Sequence, residues 1–499
     1  MLSAVHGVLV LVMSTLTQSF PVSGRAPRAV PTAAFEVLGY LSVVGIATLC
    51  FLLGWLSPQG AVVLTVALLA SLIVLAWNRF DQGRHPCFLF LCTLMLFQGG
   101  RLVGFCLGVI PDPFKIDIET TLPFPIRREE AGIVLLAIAM SAICIYAPCR
   151  WNYRRIEPPS DQTMRRYLPY LYVVFIFTIS AQLVKNYLYL RYALDNGFYL
   201  VFFSDYNRLA ASVPLAVRLV APLNLPVFIA IFVIEKKKKL LWMIVALYFS
   251  VAALFLAAGQ RMDTFSMALV LWYVARIKSS KRARILVPVL LAASLVPVAI
   301  IVGATRMGPA LEQAYTVGPL ELIAQQGISL NVTEVAIKYK DLFQPYIASY
   351  LFHDLRARFV SMDVSQYVRG WELGCDISVF LNPTRFRMGI SSGTAYLAEM
   401  YLIGGLGAVV VLSLLIGYGL NFIYACGRNA WALIVVATIL PDVILMPRGG
   451  LVVWASALIR DAILISPLLA GWWLFSLLSS IRGSSPRTLP PGPYDRANA

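Results

Sequence analysis

An all-α polytopic integral membrane protein is the fold class that this sequence predicts, on three observations. Of 499 residues, 59% belong to the set AVILMFWYC and only 13% are charged, against about 45–50% apolar and about 25% charged in a soluble domain. So little charge cannot cover a surface facing water, which excludes a soluble multidomain enzyme. The apolar residues come in runs near the roughly 20 residues that cross a hydrocarbon core, and the basic residues cluster between the runs. Amides in lipid must bond within their own segment, and these runs are too long for barrel strands, so the spans are helices.

The runs fall at 36–55, 60–77, 87–108, 131–149, 168–184, 209–234, 240–258, 262–276, 285–303, 396–425, 430–446 and 451–480. That makes twelve spans, with residues 1–18 a thirteenth or an interfacial helix; those residues lack the basic start of a cleaved signal peptide. Alternation with Arg25 and Arg28 inside puts loops 78–86, 150–167, 235–239, 276–284 and 427–429 inside too. These hold 17 Lys or Arg, against eight in the short outside loops, as the positive-inside rule expects. The net charge of +16 therefore reads as topology and not as a nucleic-acid face. Two runs read as broken helices, or as irregular backbone lining a cavity: 209–234, with Pro214, Pro222 and Pro226, and 451–480, with Arg460 and Asp461.

Residues 304–395 stand apart. This stretch of 92 residues holds eight basic and eight acidic side chains, too long for a connector and too polar to span. It is expected to form a small outward domain, periplasmic or extracellular, with helices around 310–326 and 332–360. The organisation is then an apolar N-terminal segment and basic linker (1–35), a nine-helix membrane domain (36–303), the loop domain (304–395), three last helices (396–480) and a disordered Pro-rich tail (481–499). Nine spans before the loop and three after it count against a transporter built from paired repeats. The eight cysteines lie almost all in or beside apolar runs, and His6, His85 and His353 are far apart. Neither a disulfide framework nor a local metal-ligand spacing is visible.

Charges inside spans or at their rims are functional candidates by default. On the outward side the basic ones are Lys185, Arg218, Arg261, Arg306, Arg448 and Arg460, and the nearby loop adds Arg385 and Arg387 just before the span at 396. Guanidinium forks of this kind suit a phosphate or pyrophosphate. Arg261 and Arg448 sit in glycine-bearing turns, which serve capping and topology anchoring equally well. Arg385 and Arg387 are spaced to share one side of an extended segment, or to snorkel at the membrane rim. Glu399 enters an apolar helix, where a carboxylate either complements the helix N-terminus or serves as a general base. His353 is the second candidate base and Asp263 the third. Tyr187, Tyr199, Tyr396 and Tyr401 would stack on sugar rings, although aromatic belts at bilayer surfaces are ordinary.

The segment Gly389-Ile390-Ser391-Ser392-Gly393-Thr394-Ala395-Tyr396-Leu397-Ala398-Glu399-Met400-Tyr401, running on to Gly404, Gly405 and Gly407, resembles a stretch of the bacterial oligosaccharide repeat-unit polymerases of the O-antigen polymerase (Wzy) type. In that stretch a glycine-serine pair, an Ala-Glu-x-Tyr motif and a glycine pair enter a late span. Lys185 to Tyr199 and Gly259-Gln260-Arg261 resemble two further patches of the family, and the topology matches over 36–480. The resemblance implies a GT-C-like membrane fold and a glycosyltransferase at the periplasmic face of the bacterial inner membrane. An acceptor sugar hydroxyl would attack the donor's anomeric carbon, and undecaprenyl pyrophosphate would leave. The resemblance implies no cofactor and no metal. Implied partners are undecaprenyl-pyrophosphate-linked oligosaccharides, membrane lipids and a polysaccharide co-polymerase of the Wzz type that regulates chain length. The arginines would hold the departing pyrophosphate, Glu399 or His353 would take the proton, and Gly404, Gly405 and Gly407 would permit the close helix packing that shapes a lipid groove. Two alternatives are an O-antigen ligase acting on lipid A-core, in which His353 gains importance, and a flippase or transporter of lipid-linked sugars.

Overall fold

The computed structural model describes residues 29–115, 127–157, 159, 164–196, 209, 212–258, 262–279, 319–356, 367–387 and 392–459. Every regular element among the described residues is helical. The long helices are α1 (Ala29–Leu52), α2 (Pro58–Arg79), α5 (Arg128–Trp151), α6 (Leu168–Asn196), α9 (Lys238–Ala257), α10 (Met262–Lys278), α18 (Tyr396–Cys426) and α19 (Ala430–Leu445). Between α2 and α5 lie α3 (Pro86–Phe97) and α4 (Gly100–Cys106); between α6 and α9 lie α7 (Leu215–Val220) and α8 (Asn224–Ile234).

Among the described residues, eight stretches are long and apolar enough to cross a membrane: α1, α2, α5, α6, α7 joined to α8, α9, α18 and α19. The pair α3–α4, bent by 63° at Gln98–Gly99, makes a ninth if it is one span. Helix α10 covers the expected run at 262–276 but is 17 residues long. The expected runs at 285–303 and most of 451–480, and residues 1–18, lie outside the described residues. Helix α5 is the most enclosed span and packs against α1, α2 and α18. Helices α1, α6 and α9 keep large apolar side chains outward, among them Leu38, Phe177, Trp242 and Met243. Lipid is the solvent that makes such surfaces tolerable.

Local sequence explains where these helices start and break. The Ser57 side chain accepts from the Gly60 amide and Pro58 opens α2; the Asn429 side chain accepts from the amides of Trp431 and Ala432 at the head of α19. A 3-10 turn at Ala221–Leu223 separates α7 from α8, where Pro222 and Pro226 withhold helical N–H groups.

The described parts of the five basic loops gather at one end of the bundle. Arg84 donates to the Ser279 carbonyl, Arg155 pairs with Asp81 at 3.2 Å, and Lys278 donates to the Glu235 carbonyl at 3.2 Å. The Tyr424 hydroxyl accepts from the Ile156 amide at 3.3 Å, and Gly427 packs against Ile156 and Ile277.

Helix α18 is not one rod. Gly404 (φ −166°, ψ 33°) and Gly405 (φ 63°, ψ −152°) interrupt it. The Tyr396 and Ser141 hydroxyls lie 2.8 Å apart, Ser413 donates to Ser141 at 2.8 Å, and the Ser413 hydroxyl is 3.9 Å from the Met400 sulfur. In a straight helix, Met400 and Ser413 would be separated by about 20 Å along the axis. The first two turns of α18 therefore fold back against the rest, and only glycine takes the Gly405 conformation without strain.

This corrects the expectation that the glycines near 404 permit close packing. A β-carbon at Gly405 or Gly407 would meet open space, and one at Gly404 only Ala408 of the same helix. Close approach occurs elsewhere, at Gly417 against the Ile145 carbonyl and Pro148, and at Gly100 and Gly104 against Ile323, Ala324 and Gly327. Gly405→Ala is expected to cost about 1–3 kcal/mol, whereas Gly407→Ala, in regular helix, is neutral or stabilising by up to about 1 kcal/mol. Unfolding of the two variants in detergent measures the contrast.

Candidate functional site

Among the described residues, seven short helices cover the end of the bundle opposite the basic loops. They are α11 (Pro319–Gln326), α12 (Ile328–Lys338), α13 (Lys340–Phe343), α14 (Ile347–Leu351), α15 (His353–Arg356), α16 (Leu373–Leu381) and α17 (Pro383–Arg387). Of the helices expected around 310–326 and 332–360, the described parts fall here as α11 and the series α12 to α15, residues 310–318 and 357–360 lying outside the described residues. Their small core joins Val332, Val335, Phe343, Tyr350, Leu373 and Ile377 to Ala395, Ala398 and Leu402. The polar segment and the folded-back turns of α18 thus bury one another's apolar faces, and that packing carries Glu399 inward.

Asp376 ties this layer together. Its carboxylate accepts from the Tyr350 hydroxyl at 2.6 Å, from the Gly370 amide at 2.8 Å and from the Tyr367 hydroxyl. Burial first, then the bond to Asp376, pushes both phenols well above the usual tyrosine range. The segment so held presents Trp371 and Glu372. Arg356 lies over the Trp371 ring at 4.1 Å and donates to the Gly370 and Trp371 carbonyls at 3.2 and 2.6 Å. His353 meets Trp371 edge-on at 5.6 Å, and its Nε2 is 3.6 Å from Glu372.

Glu399 is 2% exposed, and a carboxylate at that depth needs donors. Thr394 donates its hydroxyl to Oε1 at 3.1 Å and the Leu451 amide donates to Oε2 at 2.6 Å. A β-carbon on Gly450 would sit 3.2 Å from Glu399 Oε1 and 3.4 Å from Asp354 Oδ2. Two carboxylates therefore converge on one glycine, and any side chain there would intrude between them. The turn bearing Gly450 is clamped from both flanks: Gln98 donates to the Pro447 carbonyl at 2.9 Å, and Arg448 donates to Gln326 at 2.8 Å while lying 5.6 Å from the Phe97 ring centre. Deeper in α12, burial pushes the Glu334 carboxyl well above the usual carboxylate range, against the lowering effects of Asn331, which donates at 3.0 Å, and of Arg101.

The expected residues divide into groups. Glu399, His353 and Arg448 come together at this end, with Tyr401 half-buried and Lys340 5.9 Å from its ring centre. Lys185 lines a separate cavity of about 290 Å³ with Asn186, Asn224, Thr264, Thr438 and Asp442. That cavity also touches Pro222, Pro226 and Pro441, so the broken run at 209–234 does line a cavity. Helix α19 contributes to both places, with Asp442 lining this cavity and Arg448 in the turn that follows the helix. Arg218 is exposed on the single-turn α7, and Asp263 lies in the first turn of α10.

Arg385 and Arg387 belong to the helical turn α17 and not to an extended segment; Arg387 is exposed. Tyr187 is exposed on α6, but Tyr396 is 0% exposed and offers no ring face to a sugar. Arg261, Arg306 and Tyr199 lie outside the described residues. Sequence reasoning missed Asp354, Glu372, Arg356 and Glu334. Only Asp354 carried a signal, its place beside His353.

A family model for the O-antigen polysaccharide polymerase Wzy matches residues 37–470. No curated protein and no solved structure matches the chain.

Glu334 generates a prediction about pH. A carboxyl whose folded pKa exceeds its unfolded value contributes stability that is full below about pH 4.5 and declines as pH rises towards the folded value, by up to about 1.4 kcal/mol per pH unit. Glu334→Gln, which keeps an acceptor for Asn331, is expected to be more stable than the parent at pH 7, with the advantage gone near pH 4. Thermal unfolding across that range reads the difference.

Proposed function

The chain belongs to the O-antigen polysaccharide polymerase Wzy family, and from that premise we propose that the Glu399 end of the bundle joins lipid-linked repeat units at the periplasmic face of the bacterial inner membrane. The family supports O-antigen polymerisation on lipid-linked oligosaccharides by a multi-pass membrane protein. The gathering of the basic loops at the other end supports the orientation, because Lys and Arg favour the cytoplasmic side. An all-helical bundle capped by a polar segment is consistent with a GT-C-like arrangement.

One observation carries the reading: a buried carboxylate, Glu399, held by Thr394 and Leu451 in contact with the glycine turn that follows Arg448. In the proposed reaction Glu399 takes the proton from the acceptor hydroxyl. The freed oxygen bonds to the donor's anomeric carbon as the bond from that carbon to the pyrophosphate oxygen breaks. The electron pair leaves with undecaprenyl pyrophosphate, whose growing charge Arg448 meets. Asp354 and the Glu372–His353 pair shape the field around Glu399, and His353 is the second candidate base. Arg261, Arg306, Arg385 and Arg387 are proposed as further pyrophosphate contacts, with Lys185 and Arg218 as secondary ones and Asp263 as the third candidate base. Tyr187, Tyr199 and Tyr401 are the proposed sugar contacts, and a Wzz-type co-polymerase is the proposed regulator of chain length.

Purified enzyme supplied with lipid-linked repeat units tests the assignment. Glu399→Gln is expected to lower kcat by about 10²–10⁴ and Arg448→Ala by about 10²–10³, with Arg448→Lys recovering part of the loss and thermal unfolding near that of the parent. The product is expected to be a ladder of lengths on the carrier lipid. An undiminished ladder from either variant would reject that residue's role, and a single transfer to an acceptor glycolipid would reject polymerisation.

A further inference from the structure

We propose that His85, Cys87 and Cys149 form a site for one soft metal ion of the copper(I) class, buried in the bundle towards its basic end and apart from Glu399. Ligand atoms of the three residues lie within 4.8 Å of one another, all three side chains being buried. A trigonal ion with bonds of about 2.0–2.3 Å holds its ligands about 4 Å apart, so a contraction of less than an ångström closes the site. The cysteines come from different helices, α3 and α5, and His85 caps the first of these.

The histidine is already oriented for ligation. Its Nε2 lies 3.0 Å from Asn421 Oδ1, and Asn421 Nδ2 donates to the Pro148 carbonyl at 2.6 Å. That second bond fixes which end of the amide is the acceptor, so Nε2 carries the proton and Nδ1 the lone pair. Nδ1 accepts only a long bond, 3.2 Å, from the Cys87 amide. A ring whose far nitrogen donates to a fixed acceptor is the usual arrangement around a metal-bound imidazole. Opposite, the Cys149 thiol makes a weak bond of 3.4 Å to the Gly417 carbonyl, at the point where the missing side chain lets α18 approach α5.

The donor set selects the ion. Two sulfurs and one imidazole are soft ligands, and none of the three is a carboxylate. The walls are aromatic, with the Phe80 and Tyr424 ring centres each 4.8 Å from the imidazole and that of Tyr153 at 6.1 Å. Three soft donors in an apolar enclosure suit copper(I) better than a four-coordinate zinc or an oxygen-seeking cation. Binding exchanges two thiol protons for the ion: Cu⁺ enters, two S–H bonds become two S–Cu bonds, and two H⁺ leave. The site then bears one net negative charge. Arg84, next to His85 in the chain, is 2% exposed and is paired with Asp81 at 2.8 Å, its Nε alone having no partner. The ion would staple α3 to α5 without touching substrate.

The test uses the full chain in detergent under a reductant, with copper(I) offered against bicinchoninate as competitor. One copper per chain is expected to survive, to be lost in Cys87→Ser and in Cys149→Ser, and to bind about 10–100-fold more weakly in Asn421→Leu. Apparent affinity is expected to rise about a hundredfold per pH unit, for two protons released. X-ray absorption on the parent protein, which needs no variant, is expected to show two sulfurs and one nitrogen. Copper retained equally by the serine variants, no copper at one equivalent, or an oxygen-only shell would each overturn the proposal. Polymer formation by the serine variants is expected to persist, which keeps this result separable from the Glu399 reading.

Discussion

Ser141, in the middle of α5, holds two parts of one helix at once. Its hydroxyl is bonded to Tyr396 near the start of α18 and to Ser413 well beyond the break. Hydroxyls at that depth have no water to fall back on, so each must find a partner within the protein. The break at Gly404–Gly405 allows the chain to turn, and the hydroxyl chain gives the turned segment a fixed place. Glu399, one turn after Tyr396, inherits its position from that anchor. The apolar layer of α12, α14 and α16 closes over it from the other side.

The polar end is built from mutual dependence and not from a domain laid on top. Asp376 gathers three donors from the segment around it, Trp371 is packed by Arg356 and His353, and Gln98 and Gln326 hold the turn that carries Arg448 and Gly450. Glu399 receives one hydrogen bond from Thr394, just ahead of its own helix, and one from the chain beyond α19. On the proposed reading such support matters, because a carboxylate fixed by several elements does not reorganise as charge develops.

The spans were legible because lipid leaves an apolar run of that length one conformation, and the basic loops were legible because their charge sorts by side. The break in α18 was half legible. Its glycine pair stands in the sequence, but glycines in a membrane helix read equally well as a packing surface, and the Tyr396–Ser141 contact that decides between them joins residues 255 apart. Arg385 and Arg387 were misjudged because proline at the head of a single turn was not weighed against an extended reading. Asp354 was invisible as a neighbour of Glu399, since both meet at Gly450 and neither is near it in sequence. The His85–Cys87–Cys149 group escaped for a similar reason: the third member arrives only when α5 packs beside α3.

The reversal inside α18 also bears on how the protein is made. By hydropathy, Tyr396–Cys426 is one stretch of 31 residues, and insertion machinery reading apolarity would seat it as a single long rod. The finished molecule has the first two turns doubled back, in a position that exists only once Ser141 and the α12–α16 layer are there to receive them. The surroundings of Glu399 are therefore set by the packing of α5 and the polar segment against those turns, and not by the apolarity that would seat α18 in a membrane.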